Sequence, residues 1–355
     1  MIAFDFAQLR PIGLQQATAS AAAQLDFPCS TAQLMRVSAV HRDSIVVHDG
    51  SQEHPAHILP RLLHDLQAQD TVLAVGDWVA TEADAHGALW ITAHLSPFTQ
   101  IARRGNDGRR QVLANNVDTA LLVMGLDADF NPRRLERYLA IVLAARVSPV
   151  VVLSKADVAD DVAGKLSLLK QRLPSHVPLF AVDTRHAYDV AILEPWLDAG
   201  QTLVLLGSSG AGKSSLTNTL CAAGQSTQGV RHGDGRGRHT TTARSLHLCA
   251  GGACIIDTPG LRSWQADAGA ETVAATFDDI AALAATCQFR DCRHASEPGC
   301  AVRGAVDADR LCNYHKLLRD ARRSEATPLE RISARARWKT ILKAGQERSR
   351  QKRQE

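Results

Sequence analysis

The sequence predicts a chain of several domains: a small closed β-barrel, a central α/β domain on a mostly parallel sheet, and a short α-helical segment bearing a Cys/His cluster. Three observations carry this. Residues 34–95 hold short β segments every 10–15 residues with turn residues between them. From residue 119 apolar strands alternate with helical patterns. Cys287, Cys292, His294 and Cys300 then fall close together. A length of 355 residues exceeds what one core organises. Apolar residues at 45% and charged residues at 22% are those of a soluble globular protein. No run is long and apolar enough to span a membrane, and the start, MIAFDFAQLRPIG, lacks the pattern of a signal peptide. A cytoplasmic location with no membrane partner follows as the expectation.

Residues 1–33 are Ala/Gln-rich with little periodicity and read as a variable extension. In 34–100 the segments LMRVSAVH, SIVVHDG, AHILPRL, LAVGDWVATE and ALWITAHL suit a five-stranded barrel of OB type. Periodicity does not separate OB from other five-stranded barrels. IARRGNDGRRQ (101–111) is a polar, basic connector opening the α/β domain, 101–265. There TALLVMGL (119–126) reads as a buried strand, and PRRLERYLAIVLAARV (132–147) as a helix started by Asn131-Pro132. PVVVLS (149–154) and QTLVLLG (201–207) are further strands, and RSLHLCAGGACIIDTPG (244–260) a hairpin around Gly251-Gly252. Residues 266–330 contain the Cys/His cluster and a helix over 307–323. The tail, 331–355, holds nine Lys or Arg against Glu347 and Glu355, and would attract polyanions by counterion release.

Gly207-Ser208-Ser209-Gly210-Ala211-Gly212-Lys213-Ser214, followed by Ser215, matches G-x-x-x-x-G-K-[ST]. Glycines let the backbone curl so that N–H groups face phosphate oxygens at a helix N-terminus. Lys213 would reach the β/γ-phosphates, and the Ser214 hydroxyl would ligate Mg²⁺. Its position between QTLVLLG and the helical SLTNTLCAA strengthens the match. In DTPG, Asp257 at a strand end can hold Mg²⁺ through water, and the Gly260 N–H can sense the γ-phosphate. Between these motifs lies GRGRHTTTA (235–243), where a Thr can give its hydroxyl to Mg²⁺; Thr241 is the candidate, with Thr240 and Thr242 as alternatives.

Ser154-Lys155-Ala156-Asp157 ends an apolar strand, as a guanine-reading [N/S/T]-K-x-D loop should. Asp157 would accept from guanine N1–H and the 2-amino group, which adenine does not offer in that arrangement. Lys155 would pack along the phosphate-loop backbone, and AVDT (181–184) would cover the base from the other side. Yet SKAD precedes the phosphate loop by some fifty residues. The order is guanine loop, base-capping loop, phosphate loop, switch Thr, DTPG: a GTPase cycle begun from another point. A parallel sheet keeps its strand positions under such permutation if the old termini join at the surface.

Cys287-x₄-Cys292-x-His294-x₅-Cys300 supplies three thiolates and an imidazole, a complete tetrahedral set for one structural Zn²⁺. Cys312 and His315 are spare candidates on the following helix. Clustering of this kind in a cytosolic chain favours metal over disulfides.

Over about residues 35–320 the chain resembles the circularly permuted bacterial GTPases, most closely the family of ribosome small-subunit-dependent GTPase A (RsgA, also called YjeQ). VGDW (75–78), NNVD (115–118), SKAD, GSSGAGKSS, GRHTTT (237–242), DTPG and the Cys/His cluster carry the resemblance. It implies an OB-fold RNA-binding domain, a circularly permuted P-loop GTPase domain and a zinc-binding domain. It also implies GTP/GDP and Mg²⁺ as ligands, the small (30S) ribosomal subunit and its rRNA as partners of a monomer, and subunit-stimulated GTP hydrolysis during late maturation. Family members usually carry Asn where this chain has Ser154. Leu261 follows DTPG where Ras-like enzymes carry a water-orienting Gln, and an apolar side chain cannot orient water. The resemblance points to His239 for that role. Two other classes fit parts of the pattern: an RNA-binding nucleotide sensor with negligible hydrolysis, and a P-loop ATPase or kinase with an accidental SKAD.

Overall fold

The computed structural model describes residues 2, 4–24, 32–41, 44–69, 71–104, 110–222, 244–249, 251–258, 265–266 and 269–325. His239, Thr240, Thr241, Thr242, Gly260, Leu261 and the basic tail lie outside the described residues. The chain opens with helices α1 (Phe6–Leu9) and α2 (Gln16–Gln24). Strands β1 (Gln33–Val40), β2 (Ile45–His48) and β3 (Glu53–Ile58), helix α3 (Pro60–Ala68), and strands β4 (Trp78–Ala83) and β5 (Leu89–His94) follow. Strands run in the order β1-β2-β3-β5-β4, and β4 pairs back to β1, closing a five-stranded barrel. The β3–β5 pair is parallel and the other barrel pairs are antiparallel.

Two readings change here. AHILPRL is not one β segment, because Pro60 sits in the first turn of α3, where its missing N–H and fixed φ suit a helix start. The N-terminal residues form a packed cap: Leu9, Ile12 and Leu14 share a core with Leu34 and the fully buried Trp78. These apolar residues are too sparse for a period, so their burial arises only from the tertiary fold.

The connector is likewise ordered on both sides of 105–109. Strands β6 (Gln100–Arg104) and β7 (Arg110–Asn115) pair antiparallel, with Ile101, Val112 and Leu113 buried. The α/β domain continues with β8 (Thr119–Gly125), α4 (Pro132–Ala144), β9 (Ser148–Ser154) and α5 (Val162–Arg172). Then come β10 (Leu179–Ala181), α6 (Ala187–Val190), β11 (Thr202–Leu206), α7 (Lys213–Ala222), β12 (Ser245–Leu248) and β13 (Cys254–Asp257). The Asn131 side chain caps α4 by accepting from the Arg134 N–H, and Leu135, Leu139 and Val142 recur on its buried face.

The sheet order is β10-β9-β8-β11-β13-β12, parallel except at the β12–β13 hairpin. All residues of β8 are buried, as expected for a strand covered on both faces. The bridge Ala39↔Ser245 joins the sheet to the barrel. Strand β14 (Gln265–Ala266) adds to the β6–β7 pair. Helices α8 (Ala270–Thr276), α9 (Asp278–Ala284) and α10 (Ala308–Glu325) form the C-terminal unit around Val273, Phe277, Ile280, Val302 and Leu317.

Candidate functional site

The segment that matches the phosphate-loop pattern leaves β11 and enters α7. Gly207 sits so close to β8 that an added Cβ would lie 2.3 Å from the Val123 carbonyl oxygen. Gly212 has φ 91°, and its backbone packs 3.2 Å (to an added Cβ) from Ser154 and 3.5 Å from the Thr184 hydroxyl. A side chain at either position would break the fit. Lys213 curls back so that Nζ donates to the carbonyl oxygens of Gly207 (3.1 Å) and Ser208 (2.7 Å). Burial lowers its pKa, while the carboxylates of Asp257 and Asp129 oppose that shift. An ammonium held over a ring of backbone dipoles is suited to a multiply charged anion.

Asp257 ends β13, and its Oδ1 is buried with no protein partner among the described residues. Burial raises its pKa, against the pull of Lys213. A buried, unpaired carboxylate oxygen carries a desolvation penalty unless something coordinates it. With the Ser214 hydroxyl at the start of α7, it provides oxygen donors of the kind a hard divalent cation takes.

SKAD lies beside this loop. Ser154 is fully buried, and its Oγ donates to the Ala211 carbonyl at 2.6 Å. Lys155 adopts φ 61°, a left-handed conformation uncommon for a residue with a side chain. Its Nζ meets Asp127 Oδ2 at 2.7 Å. Asp127, two residues past the end of β8, is a strong partner for an ammonium. From the AVDT segment, Thr184 offers its carbonyl to Thr219 of α7 at 2.7 Å. SKAD, AVDT and the phosphate loop therefore meet at one end of the parallel sheet, where α/β folds bind ligands.

Sequence reading missed three charged residues here. Asp129 accepts from the Ser208 hydroxyl at 2.6 and 2.7 Å and from the Gly125 N–H at 3.2 Å. Asp127, two residues earlier, holds Lys155. Arg185 contacts Asp157 at 2.6 Å and Asp183 at 3.0 Å. Nothing in one sequence says which charge will face which loop. The only signal was the density of acids in GLDAD (125–129).

In the C-terminal unit, the ligand atoms of Cys287, Cys292, His294 and Cys300 all lie within 4.8 Å of one another, so the group could hold a metal ion. His294 Nδ1 is 3.6 Å from Cys287 Sγ and 3.5 Å from Cys300 Sγ. Ligands at zinc distances on a tetrahedron stand roughly 3.5–3.8 Å apart. His294 has φ 58°. The knuckle is tied by the Gln288 N–H donating to the Gly299 carbonyl and by Glu297, which accepts from the Arg293, Ala295 and Ser296 N–H groups. Backbone N–H donors, its own among them, hold the Glu297 pKa down to about 2. Cys312 and His315, on α10, are not among the four.

A buried charge cluster fixes this unit to the α/β domain. Glu136 of α4 is 1% exposed; its Oε1 accepts from Arg172 at 2.8 Å and Arg310 at 2.7 Å, and its Oε2 from Asn313. Arg310 also engages Asp279, at 2.6 and 2.9 Å.

A profile described as RsgA GTPase matches residues 95–267. A protein from Xanthomonas oryzae pv. oryzae named small ribosomal subunit biogenesis GTPase RsgA is 45% identical over 291 residues, covering 79% of each chain. One of the same name from Xanthomonas axonopodis pv. citri is 44% identical over 309 residues, covering 84% of this chain and 83% of its own. Two crystal structures share the fold at 22% identity. YjeQ from Thermotoga maritima has a TM-score of 0.60, covering 82% of this chain and 98% of its own. YloQ, described as a circularly permuted GTPase, has a TM-score of 0.56, covering 83% and 97%.

Proposed function

The chain belongs to the RsgA GTPase family and is a GTP hydrolase; from that premise we propose that it binds the small ribosomal subunit and acts in its late maturation, with turnover stimulated by the subunit. The observation that carries the nucleotide side is the convergence of three loops: Ser154 bonded to Ala211, and Gly212 packed on Ser154 and Thr184. Such packing lets base and phosphates be read together.

In this reading Asp157 accepts from the guanine edge, with Ser154, Lys155 and Ala156 shaping the loop. The segment from Gly207 to Ser215 wraps the phosphates, and Lys213 leaves its carbonyl partners for the β/γ-phosphates. Ser214 and Thr241, with Asp257 through water, would hold Mg²⁺, which would offset the phosphate charge, and the Gly260 N–H would sense the γ-phosphate. His239 takes the water-positioning role that Leu261 cannot. Cys287, Cys292, His294 and Cys300 hold one structural Zn²⁺, which leaves no open position for catalysis. The barrel and the basic zinc domain contact rRNA, and the protein works as a cytoplasmic monomer.

The direct test is nucleotide competition followed by single turnover. Labelled GTP should be displaced by GDP and not by ATP, and bound GTP should be cleaved in one round. Displacement by ATP would favour an adenine-using P-loop protein, and bound GTP that is never cleaved would favour a sensor.

A further inference from the structure

Arg185 lies just past the segment expected to cover the base, and its contacts are asymmetric. Its backbone N–H and its Nε both donate to Asp183 Oδ1, at 3.0 and 3.1 Å. Its Nη2 then spans two carboxylates, Asp183 Oδ2 at 3.0 Å and Asp157 Oδ2 at 2.6 Å. Asp183 is 5% exposed and is further fixed by its own N–H donating to Asp189 at 3.3 Å. The hydrogen bond from Arg185 is the main reason its pKa falls to about 2. The guanidinium is thus anchored on a buried, ionised carboxylate and reaches out to a second, more exposed one. His186 also faces Asp183, at 3.4 Å.

We infer that Arg185 is a positioning residue for base selection, holding the Asp157 carboxylate in the one orientation that meets both donors of guanine. The inference rests on the reading of Asp157 as the guanine acceptor. A carboxylate that must accept from two neighbouring N–H groups has to present both oxygens in the plane of the base. Arg185 fixes Oδ2 and so sets the rotation of the whole group. It also screens Asp157 from Asp183, whose like charge would otherwise turn it away. A lysine cannot replace it, because a single ammonium lacks the planar fork that bonds both oxygens of Asp183 and Asp157 at once. The phosphate contacts do not pass through Arg185, so its loss bears on the base and not on the triphosphate.

The test compares GTP with ITP, which keeps N1–H and lacks the 2-amino group, by competition against labelled GDP on the full chain. In Arg185→Ala the preference for GTP over ITP should shrink about three- to tenfold. Arg185→Lys should not restore it, and Asp183→Asn should reduce it without adding to the effect of Arg185→Ala. A uniform loss of affinity for GTP, ITP and ATP would mean a structural role only, and an unchanged GTP/ITP ratio would overturn the inference. Asp157→Asn, assayed with xanthosine triphosphate on the same scale, separates the two layers. If that variant fails to gain affinity for xanthosine triphosphate, the reading of Asp157 falls and this inference with it. If it does gain affinity while Arg185→Ala behaves as wild type, only the inference falls.

Discussion

Ser154 shows how one side chain ties the SKAD loop to the Gly207–Ser215 loop. Its hydroxyl is buried and satisfies the Ala211 carbonyl inside the phosphate loop. Truncation leaves that carbonyl without its partner, a loss of about 1–3 kcal/mol when the group is buried. Ser154→Ala should therefore weaken GTP and GDP alike, by about tenfold, with little change in the GTP/ITP ratio; isothermal titration checks both. Unchanged affinity would reduce Ser154 to a packing residue. The phosphate loop and SKAD were legible in the sequence because glycine geometry and strand-end position are local properties. Arg185, Asp127 and Asp129 were not, since a charge acquires meaning only from the partner that the tertiary fold sets opposite it.

Elements with a strong local signal read correctly: α4 from its Asn131 cap and spacing, β8 and β9 from continuous apolar runs, and the β12–β13 hairpin from its paired glycines. Elements specified by distant contacts did not. The cap of Leu9, Ile12 and Leu14 needs Trp78 to define it, and the β6–β7 pair hid behind a polar, basic composition. Between elements, the Glu136 cluster makes the firmest join of α4 to α10. Glu136→Ala leaves the buried Arg310 with Asp279 alone and removes the acceptor of Asn313, and should destabilise the protein by about 1–3 kcal/mol, read by denaturant unfolding. A loss below about 1 kcal/mol would show that the cluster does not hold the two units together. The Cys/His knuckle is a separate device. The protein should carry about one zinc per chain, and Cys292→Ala should lose it and loosen the C-terminal unit while GTP binding persists. Full zinc content in that variant would move the ligand set toward Cys312 or His315.

Across the whole molecule, the order β10-β9-β8-β11-β13-β12 becomes 6-5-4-1-3-2 when strands are numbered from the phosphate-loop strand. Permutation thus moves the chain ends and leaves the sheet intact, which is why motif order alone exposed it. Arg36 locks the barrel against that sheet from a fully buried position. It donates to the Gly76, Asn116 and Ile12 carbonyls and to the Thr202 hydroxyl, tying barrel, cap and α/β domain together. The decisive property is what the small subunit does to hydrolysis. GTP turnover should be measured for the purified chain alone, with small subunits, and with large subunits at equal concentration. The expected result is slow intrinsic turnover, a rise of at least about tenfold with small subunits only, and loss of that rise in His239→Ala without loss of binding. Equal turnover in all three conditions for the wild-type chain would contradict it.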